Sequence, residues 1–313
     1  MELGSGDDLI ERAPAWFPSV VVARSTGAPR DPAPEGVDVA LCSRQREGTP
    51  PGWVQADDPE AELQKLWDQV RRSPQASVTL VQVLRTNAVL GYEDALTVES
   101  LAYSTLQSGP AFSAWLTKRR AGAPRVRDEP GHAVLVERQG ARLVLTFDRP
   151  HVRNAVDPRL RDELADGLVL ACADPSITAV ELRGAGPDFS SGGDLDTFGT
   201  LPDPVTAHLT RVVRSPARLL WRVSERVTAY VHGACVGAGV ELAAFAARVV
   251  AAPGTRFRLP EVALGLLPGA GGTVSIPRRI GRQRTAWLGL VGAELDVVTG
   301  AQWGLVDEVT ASE

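Results

Sequence analysis

Through the second half of the chain, short apolar runs of strand length alternate with stretches of helical periodicity, and this alternation restricts the fold more than any other feature. The strand-like runs are residues 133–137, 142–147, 180–183 and 227–231. Helices are predicted to begin at Asp157, to lie around 208–223 and to pass through Glu241. Asp157 is a favourable N-cap, because its side chain can accept a hydrogen bond from the first helical turn. The alternation predicts an α/β domain, which we place at residues 132–313.

The segment that precedes this domain falls into three parts. Residues 1–58 are rich in Pro, Gly and Asp and contain two short apolar runs, 20–23 and 37–41, which predict short strands in a loop-rich lead segment. Residues 59–120 are predicted to be helical. Residues 121–131 combine Pro and Gly with alternating charges and are predicted to form a linker. The lead segment predicts no function.

The helical part is predicted from its apolar spacing. Its first helix carries apolar residues at i, i+3, i+4 and i+7, namely Leu63, Leu66, Trp67 and Val70. This helix is predicted to end near Ser73, because Pro74 follows. Three further helices are predicted at residues 76–89, 92–107 and 111–120. The last ends in three basic residues, which suit a helix C-terminus.

Composition and charge exclude several classes of protein. The 313 residues carry a formal net charge of -5, so no general basic field attracts nucleic acid. The three cysteines have neither disulfide nor metal-site spacing, which fits a reducing compartment. The longest weakly polar run, 227–252, contains Glu241 and Arg248 and is predicted to be a buried strand and helix, not a membrane span. With no signal-peptide pattern at the start, we expect a cytoplasmic protein that contacts neither membrane nor nucleic acid.

Familiar motifs of other enzyme classes are incomplete in this sequence. Gly233, Gly237 and Gly239 have a dinucleotide-like spacing, but no Tyr of the chain is followed by Lys four residues later, as short-chain dehydrogenases require. The glycine-rich run 269–273 lacks the Lys of a phosphate-binding loop, and no Gly-x-Ser-x-Gly elbow occurs. The four dispersed histidines have no ligand pattern and are predicted to be structural.

Four segments remain that make chemical sense together, at residues 149–155, 188–195, 232–243 and 259–273. The third is a strand followed by a glycine-rich turn and a helix, an arrangement that directs unpaired backbone N–H groups at one point and favours an anion there. Glu241 and Glu261 each interrupt an apolar run. Two neighbouring carboxylates in an apolar pocket have raised and separated pKa values, which makes them suitable as an acid and a base near neutral pH.

In order and wording, the four segments resemble the enoyl-CoA hydratase/isomerase (crotonase) superfamily. The resemblance implies a ββα superhelix core that binds an acyl-CoA thioester and uses no cofactor beyond the coenzyme A of its substrate. It implies that Glu241 and Glu261 are the catalytic pair and that the N–H groups of Gly193 and Ala238 form an oxyanion hole for the thioester. It also implies a set of substrate-binding residues: Arg153, Ala155, Ser191, Asp194, Leu195 and Gly269.

Because both glutamates are present, we expect an enoyl-CoA hydratase, which adds water in the syn sense to a 2-enoyl-CoA. An enoyl-CoA double-bond isomerase and a non-catalytic acyl-CoA-binding protein are the alternatives. The resemblance further implies a homotrimer or a dimer of trimers.

The order of the segments departs from the family's usual order. Relatives continue past the strand equivalent to residues 305–309 into several helices, whereas here wording similar to those helices occurs before the core, at residues 58–120. We therefore hypothesise a circularly permuted or duplicated-and-trimmed chain, in which 121–131 joins the old end to the old beginning. The helices should then pack near residues 284–309, and Lys118 and Arg119 should approach the coenzyme A phosphates. An unrelated helical domain in front of a shortened core is the alternative.

Overall fold

The computed structural model describes residues 14–25, 27–44, 49–120 and 131–311. The predicted linker lies outside the described residues except for Gly131. Within the described ranges, no helix is both long and apolar enough to cross a membrane.

The lead segment forms a three-stranded parallel sheet of β1 (Val22–Ser25), β2 (Val39–Ser43) and β3 (Trp53–Ala56). The two predicted strands are confirmed, and β3 was missed because its short run follows two prolines and a glycine. Asp38, fully buried, accepts hydrogen bonds from Val21 N, Arg85 Nε and Arg282 Nη1 at 2.8, 2.9 and 2.9 Å. This carboxylate therefore ties the sheet to two helices that lie later in the chain.

Four helices follow: α1 (Pro59–Arg72), α2 (Pro74–Asn87), α3 (Tyr92–Gln107) and α4 (Pro110–Arg120). Their bounds agree with the predicted helices to within two residues. Three of them begin at a proline, whose missing N–H costs nothing in the first turn of a helix. Asp58 caps α1 by accepting hydrogen bonds from Glu60 N and Ala61 N.

The α/β part is built on a six-stranded sheet with the order β12-β9-β7-β6-β5-β4. Only the β4–β5 pair is antiparallel among the pairs of this sheet within the described residues. The strands are β4 (Val134–Gln139), β5 (Arg142–Phe147), β6 (Ala179–Gly184), β7 (Val227–Val231), β9 (Arg248–Ala251) and β12 (Glu308–Val309). A smaller sheet joins β8 (Ala234–Val236), β10 (Arg256–Arg258) and β11 (Leu295–Asp296).

Seven helices accompany these strands in the described part of the domain: α5 (Pro158–Ala173), α6 (Pro204–Val213), α7 (Pro216–Val223), α8 (Ala238–Ala243), α9 (Gly272–Ile280), α10 (Arg282–Val291) and α11 (Val297–Trp303). The single helix predicted around 208–223 is wrong. Pro216 interrupts the helical hydrogen bonds, and Ser215 caps a new helix by accepting from Arg218 N at 3.3 Å.

Helices α1 to α4 share one hydrophobic core with the α/β part. Leu66, Leu80 and Leu84 are buried in the same cluster as Ala286 and Leu288 of α10. Trp287 Nε1 donates to Glu62 Oε1 at 2.8 Å, which adds a polar tie between α10 and α1. The helices thus pack on residues that begin near 284, as the permuted arrangement requires.

Candidate active site

A cavity of about 440 Å³ lies between the α/β core and the helices that precede it. Its wall includes five residues predicted from the sequence: Gly193, Ala238, Glu241, Glu261 and Gly269. The wall also includes Tyr103 of α3, Phe112 and Leu116 of α4, and Arg211 of α6. The cavity therefore exists only because two parts of the chain come together.

Glu241 lies on α8, and only 2% of its surface is exposed. Its Oε2 accepts hydrogen bonds from Ala270 N at 2.7 Å and from Gly272 N at 2.9 Å. Glycine is required at position 272, because a β-carbon there would lie 2.5 Å from Glu241 Cγ. The glycine-rich turn before α9 therefore holds one carboxylate oxygen of Glu241.

Glu261 begins a short 3-10 helix, Glu261–Leu264, and is 8% exposed. Among the described residues, its Oε2 is one of three buried side-chain oxygen or nitrogen atoms that lack a hydrogen-bond partner. A buried polar atom without a partner is costly unless a ligand or water satisfies it. This oxygen is thus a candidate contact for a substrate proton.

Burial raises the pKa of both carboxyl groups. For Glu261 the pKa rises to about 8, mainly through loss of hydration, with a smaller contribution from the charge of Glu99. Burial also raises the pKa of Glu241 well above its usual value, and the charges of Glu261 and Glu99 add to the effect. The pair therefore keeps a proton near neutral pH, as an acid/base pair requires.

The backbone N–H groups of Gly193 and Ala238 are candidates for an oxyanion site. In the part of the chain that the structure describes, neither Gly193 N nor Ala238 N donates a hydrogen bond to the protein. Ala238 is the first residue of α8, where an N–H has no partner inside the helix. The two loops lie side by side because Ser190 pairs with Cys235, with Val236 N donating to Ser190 O at 3.0 Å.

The other five predicted substrate-binding residues stand outside the cavity wall. They lie on the loop before α5 and on the loop that contains Gly193: Arg153, Ala155, Ser191, Asp194 and Leu195. The Arg153 side chain is 60% exposed, and its Nε is 2.6 Å from Asp188 Oδ2. Asp194 Oδ2 is 3.6 Å from the Nη2 of buried Arg149, and Asp194 caps the turn at Leu195–Thr197. The charged residues Arg153 and Asp194 therefore hold these loops in place.

Sequence reasoning missed three polar residues near the glutamates: Glu99 and Tyr103 of α3 and Arg211 of α6. The Arg211 guanidinium lies over the Tyr103 ring, 4.6 Å from its centroid. Glu99 is 2% exposed and bonds to the turn before α9. The sequence signal for these residues was Glu99 four positions before Tyr103 on one helix. Only the tertiary structure reveals that Glu99 bonds to the turn before α9.

The match to known proteins agrees with this geometry. Residues 137–313 match the enoyl-CoA hydratase/isomerase family, and the chain belongs to that family. It is 36% identical over 180 residues to the 2,3-dehydroadipyl-CoA hydratase of Escherichia coli K12, a match that covers 58% of this chain and 70% of that protein. It is also 32% identical over 176 residues to the 1,2-epoxyphenylacetyl-CoA isomerase of the same organism, covering 55% and 67% of the two chains.

Solved structures of the family show the same core. An enoyl-CoA hydratase from Thermoplasma volcanium matches with a TM-score of 0.54 and 30% identity, covering 58% of this chain and 73% of that chain. A protein described as a putative enoyl-CoA hydratase/isomerase from Mycobacterium abscessus matches with a TM-score of 0.54 and 32% identity, covering 57% and 71%. The crotonase-type α/β core expected from the sequence is thereby confirmed.

Proposed function

We propose that the protein is an enoyl-CoA hydratase that adds water to the double bond of a 2-enoyl-CoA. The observation that carries the proposal is that two buried carboxylates and the residues of two N–H groups without a protein acceptor, Gly193 and Ala238, all line one cavity. Hydration needs a base for water, an acid for the α-carbon and donors for the charge on the thioester oxygen.

Glu241 is the proposed base. Its Oε2 accepts two backbone hydrogen bonds, which stabilise the ionised form of this carboxyl group and oppose the rise of its pKa that burial and the charges of Glu261 and Glu99 cause. Glu241 takes a proton from water, and the water oxygen bonds to Cβ. The electron pair of the double bond moves toward the thioester, whose oxygen gains negative charge. The N–H groups of Gly193 and Ala238 stabilise that oxygen, and each such donor is worth about 3 kcal/mol.

Glu261 is the proposed acid. With a pKa of about 8 it is mostly protonated at neutral pH, and it donates its proton to Cα as the thioester carbonyl re-forms. Water is then fully added, and a proton passes from Glu241 to Glu261 or through solvent before the next turnover. Both glutamates line the same cavity, and we expect them to act on one face of the double bond, which gives syn addition.

The coenzyme A end of the substrate is proposed to lie along the loop that follows Gly193. The basic end of α4 rests on this loop, where Arg119 Nη2 is 2.5 Å from Asp196 Oδ1 and Arg120 Nη2 donates to Gly199 O at 2.6 Å. These contacts place the basic end of α4 against a loop of the cavity wall, and Lys118 and Arg119 are proposed to bind the phosphate groups there.

Incubation with crotonyl-CoA tests the proposal. Hydration removes the conjugated thioester absorbance and increases the mass of the acyl group by one water. An isomerase would instead create that absorbance from a 3-enoyl-CoA, and a binding protein would change neither substrate. A screen of enoyl-CoA thioesters by mass spectrometry then defines the preferred acyl chain.

We also propose that the protein forms a homotrimer or a dimer of trimers. Three apolar side chains on one face of α6 support this proposal, since Val205, Leu209 and Val213 are 68%, 57% and 78% exposed. Light scattering at micromolar concentration tests it, and a monomer would contradict it.

A further inference from the structure

A third buried glutamate, Glu99 of α3, binds the same glycine-rich turn as Glu241. Its Oε1 accepts a hydrogen bond from Gly271 N at 2.7 Å, across 172 residues of sequence. Its Oε2 accepts from Thr273 N at 2.9 Å and from Thr273 Oγ1 at 2.6 Å. Three donors therefore hold this side chain at the start of α9.

The N–H groups of the turn alternate between two carboxylates. Ala270 N and Gly272 N donate to Glu241, whereas Gly271 N and Thr273 N donate to Glu99. These groups precede or begin α9 and have no partner inside that helix. A shift of the turn by one residue would exchange the two sets of donors. The two carboxylates therefore define the register of the turn together.

The turn contains glycines because its backbone lies close to aromatic rings. These glycines give the turn little intrinsic rigidity. A β-carbon on Gly269 would lie 2.3 Å from the Tyr103 ring, and one on Gly271, which has a φ of 102°, would lie 2.5 Å from the Phe245 ring. Glycine allows these contacts but leaves the backbone with more accessible conformations than other residues. A group outside the turn must therefore hold it.

We propose that Glu99 is a positioning residue for the proposed hydration. It holds the turn so that Glu241 keeps both of its N–H donors, and it places a negative charge beside the catalytic pair. The kinetic consequences of this inference rest on the proposed function. Its structural basis is the set of hydrogen bonds that joins α3, from the segment before the core, to the core itself.

The charge of Glu99 gives this role an electrostatic consequence. It raises the pKa of both Glu241 and Glu261. Burial raises the pKa of Glu99 itself to about 7, against the opposing effect of its hydrogen bonds and of Arg211. The other titratable or charged groups around this face of α3 are Tyr103, His208, Arg211 and Arg218. Removal of the Glu99 charge should therefore shift the titration of the pair to lower pH.

The central experiment replaces Glu99 with Gln. The amide keeps the size of the side chain but loses the charge and one acceptor oxygen. We expect kcat to fall by about 10- to 100-fold with KM nearly unchanged, similar to the loss of residues that support metal ligands. We also expect both limbs of the pH–rate profile to move to lower pH. Glu99→Asp keeps the charge, and its profile should stay at the wild-type pH even where kcat is reduced.

A second measurement does not depend on turnover. NMR titration of side-chain carbons in glutamate-labelled protein follows Glu241 and Glu261 directly, with assignments from Glu241→Gln and Glu261→Gln. In Glu99→Gln these resonances should titrate at lower pH whether or not the protein hydrates any enoyl-CoA. Failure of the hydration assay in the wild-type protein would thus contradict the proposed function and leave this test intact.

The matched control is Glu62→Gln, which changes another buried glutamate of the same helical segment that bonds to Trp287. It should leave the pH profile unchanged. A Glu99→Gln variant with wild-type kcat, or one with a lower kcat but an unshifted titration, would overturn the proposal. Should that variant not fold, Thr273→Val removes the hydroxyl donor to Glu99, together with the oxygen that accepts from Asn87 Nδ2. The same shift, smaller in size, would support the proposal, and its absence would overturn it.

Discussion

Gly237 and Glu261 are in such close contact that a β-carbon on Gly237 would lie 2.5 Å from Glu261 Oε1. Gly237 immediately precedes α8 and has a φ of 49°. The residue just before the helix of Glu241 therefore also limits the position of the second glutamate. This contact links the two proposed catalytic groups through backbone geometry.

Replacement of Gly237 by Ala should displace Glu261 and lower turnover by at least 10²-fold, the usual contribution of a positioned acid or base. Gly254→Ala is the control, since Gly254 also has a positive φ, of 78°, but has nothing within 4 Å of the added carbon. It should cost roughly 1–2 kcal/mol of stability and leave turnover per folded molecule unchanged. Turnover in Gly237→Ala equal to that of the control would contradict the predicted clash.

Glu241→Gln and Glu261→Gln should each lower turnover by about 10²- to 10⁴-fold, because each removes a positioned acid or base. Binding of butyryl-CoA, measured by calorimetry, should persist in both variants. Glu137→Gln changes an exposed glutamate on β4 and serves as the control. If either site variant turned over crotonyl-CoA at nearly the wild-type rate, its assignment would be wrong.

The oxyanion site can be tested from the ligand side, without any change to the protein. Butyryl-CoA has a thioester carbonyl that can accept from Gly193 N and Ala238 N, whereas the thioether S-butyl-CoA has no such oxygen. Two hydrogen bonds of about 0.5–1.5 kcal/mol each predict that the thioester binds roughly 5- to 140-fold more tightly. Equal dissociation constants for the two ligands would argue against these donors.

The raised pKa of Glu261 predicts a particular dependence of stability on pH. Since the folded-state pKa is about 8 and the ordinary value is 4.5, the folded protein holds a proton that the unfolded chain has lost between these values. The contribution of this group to stability is thus retained at low pH and declines as pH rises from about 4.5 to about 8. Glu261→Gln lacks this decline. Its stability in urea should therefore improve relative to wild type as pH rises, by at most about 1.4 kcal/mol per pH unit. A constant difference across that range would contradict the raised pKa.

The permuted arrangement also predicts a structural result. When this fold is superposed on solved relatives without regard to chain order, α1 to α4 should coincide with the helices that follow the core in those proteins. The matches in chain order cover 73% and 71% of two such relatives, which leaves room for that additional overlap. Helices that fail to superpose would favour an unrelated helical segment.

The sequence by itself determined several elements of the core and, through its resemblance to the family, the identity of the proposed catalytic pair. Strand β7 and helix α3 have the predicted bounds, because apolar periodicity and flanking breakers are local properties that the chain carries in any context. Glu241 and Glu261 were recognisable because a charged residue within an apolar run is unusual. Pro216 also indicates the break between α6 and α7, although the prediction of one helix around 208–223 did not include it.

Only the tertiary structure decided what completes the site. Glu99 lies 172 residues before its partner Gly271, and no local pattern could pair them. Tyr103 and Arg211 reach the cavity because α3 packs on α6 and α9, a long-range contact that depends on the shape of the whole core. The same packing removes water from Glu241 and Glu261 and so raises the pKa of both groups, since desolvation depends on every surrounding atom.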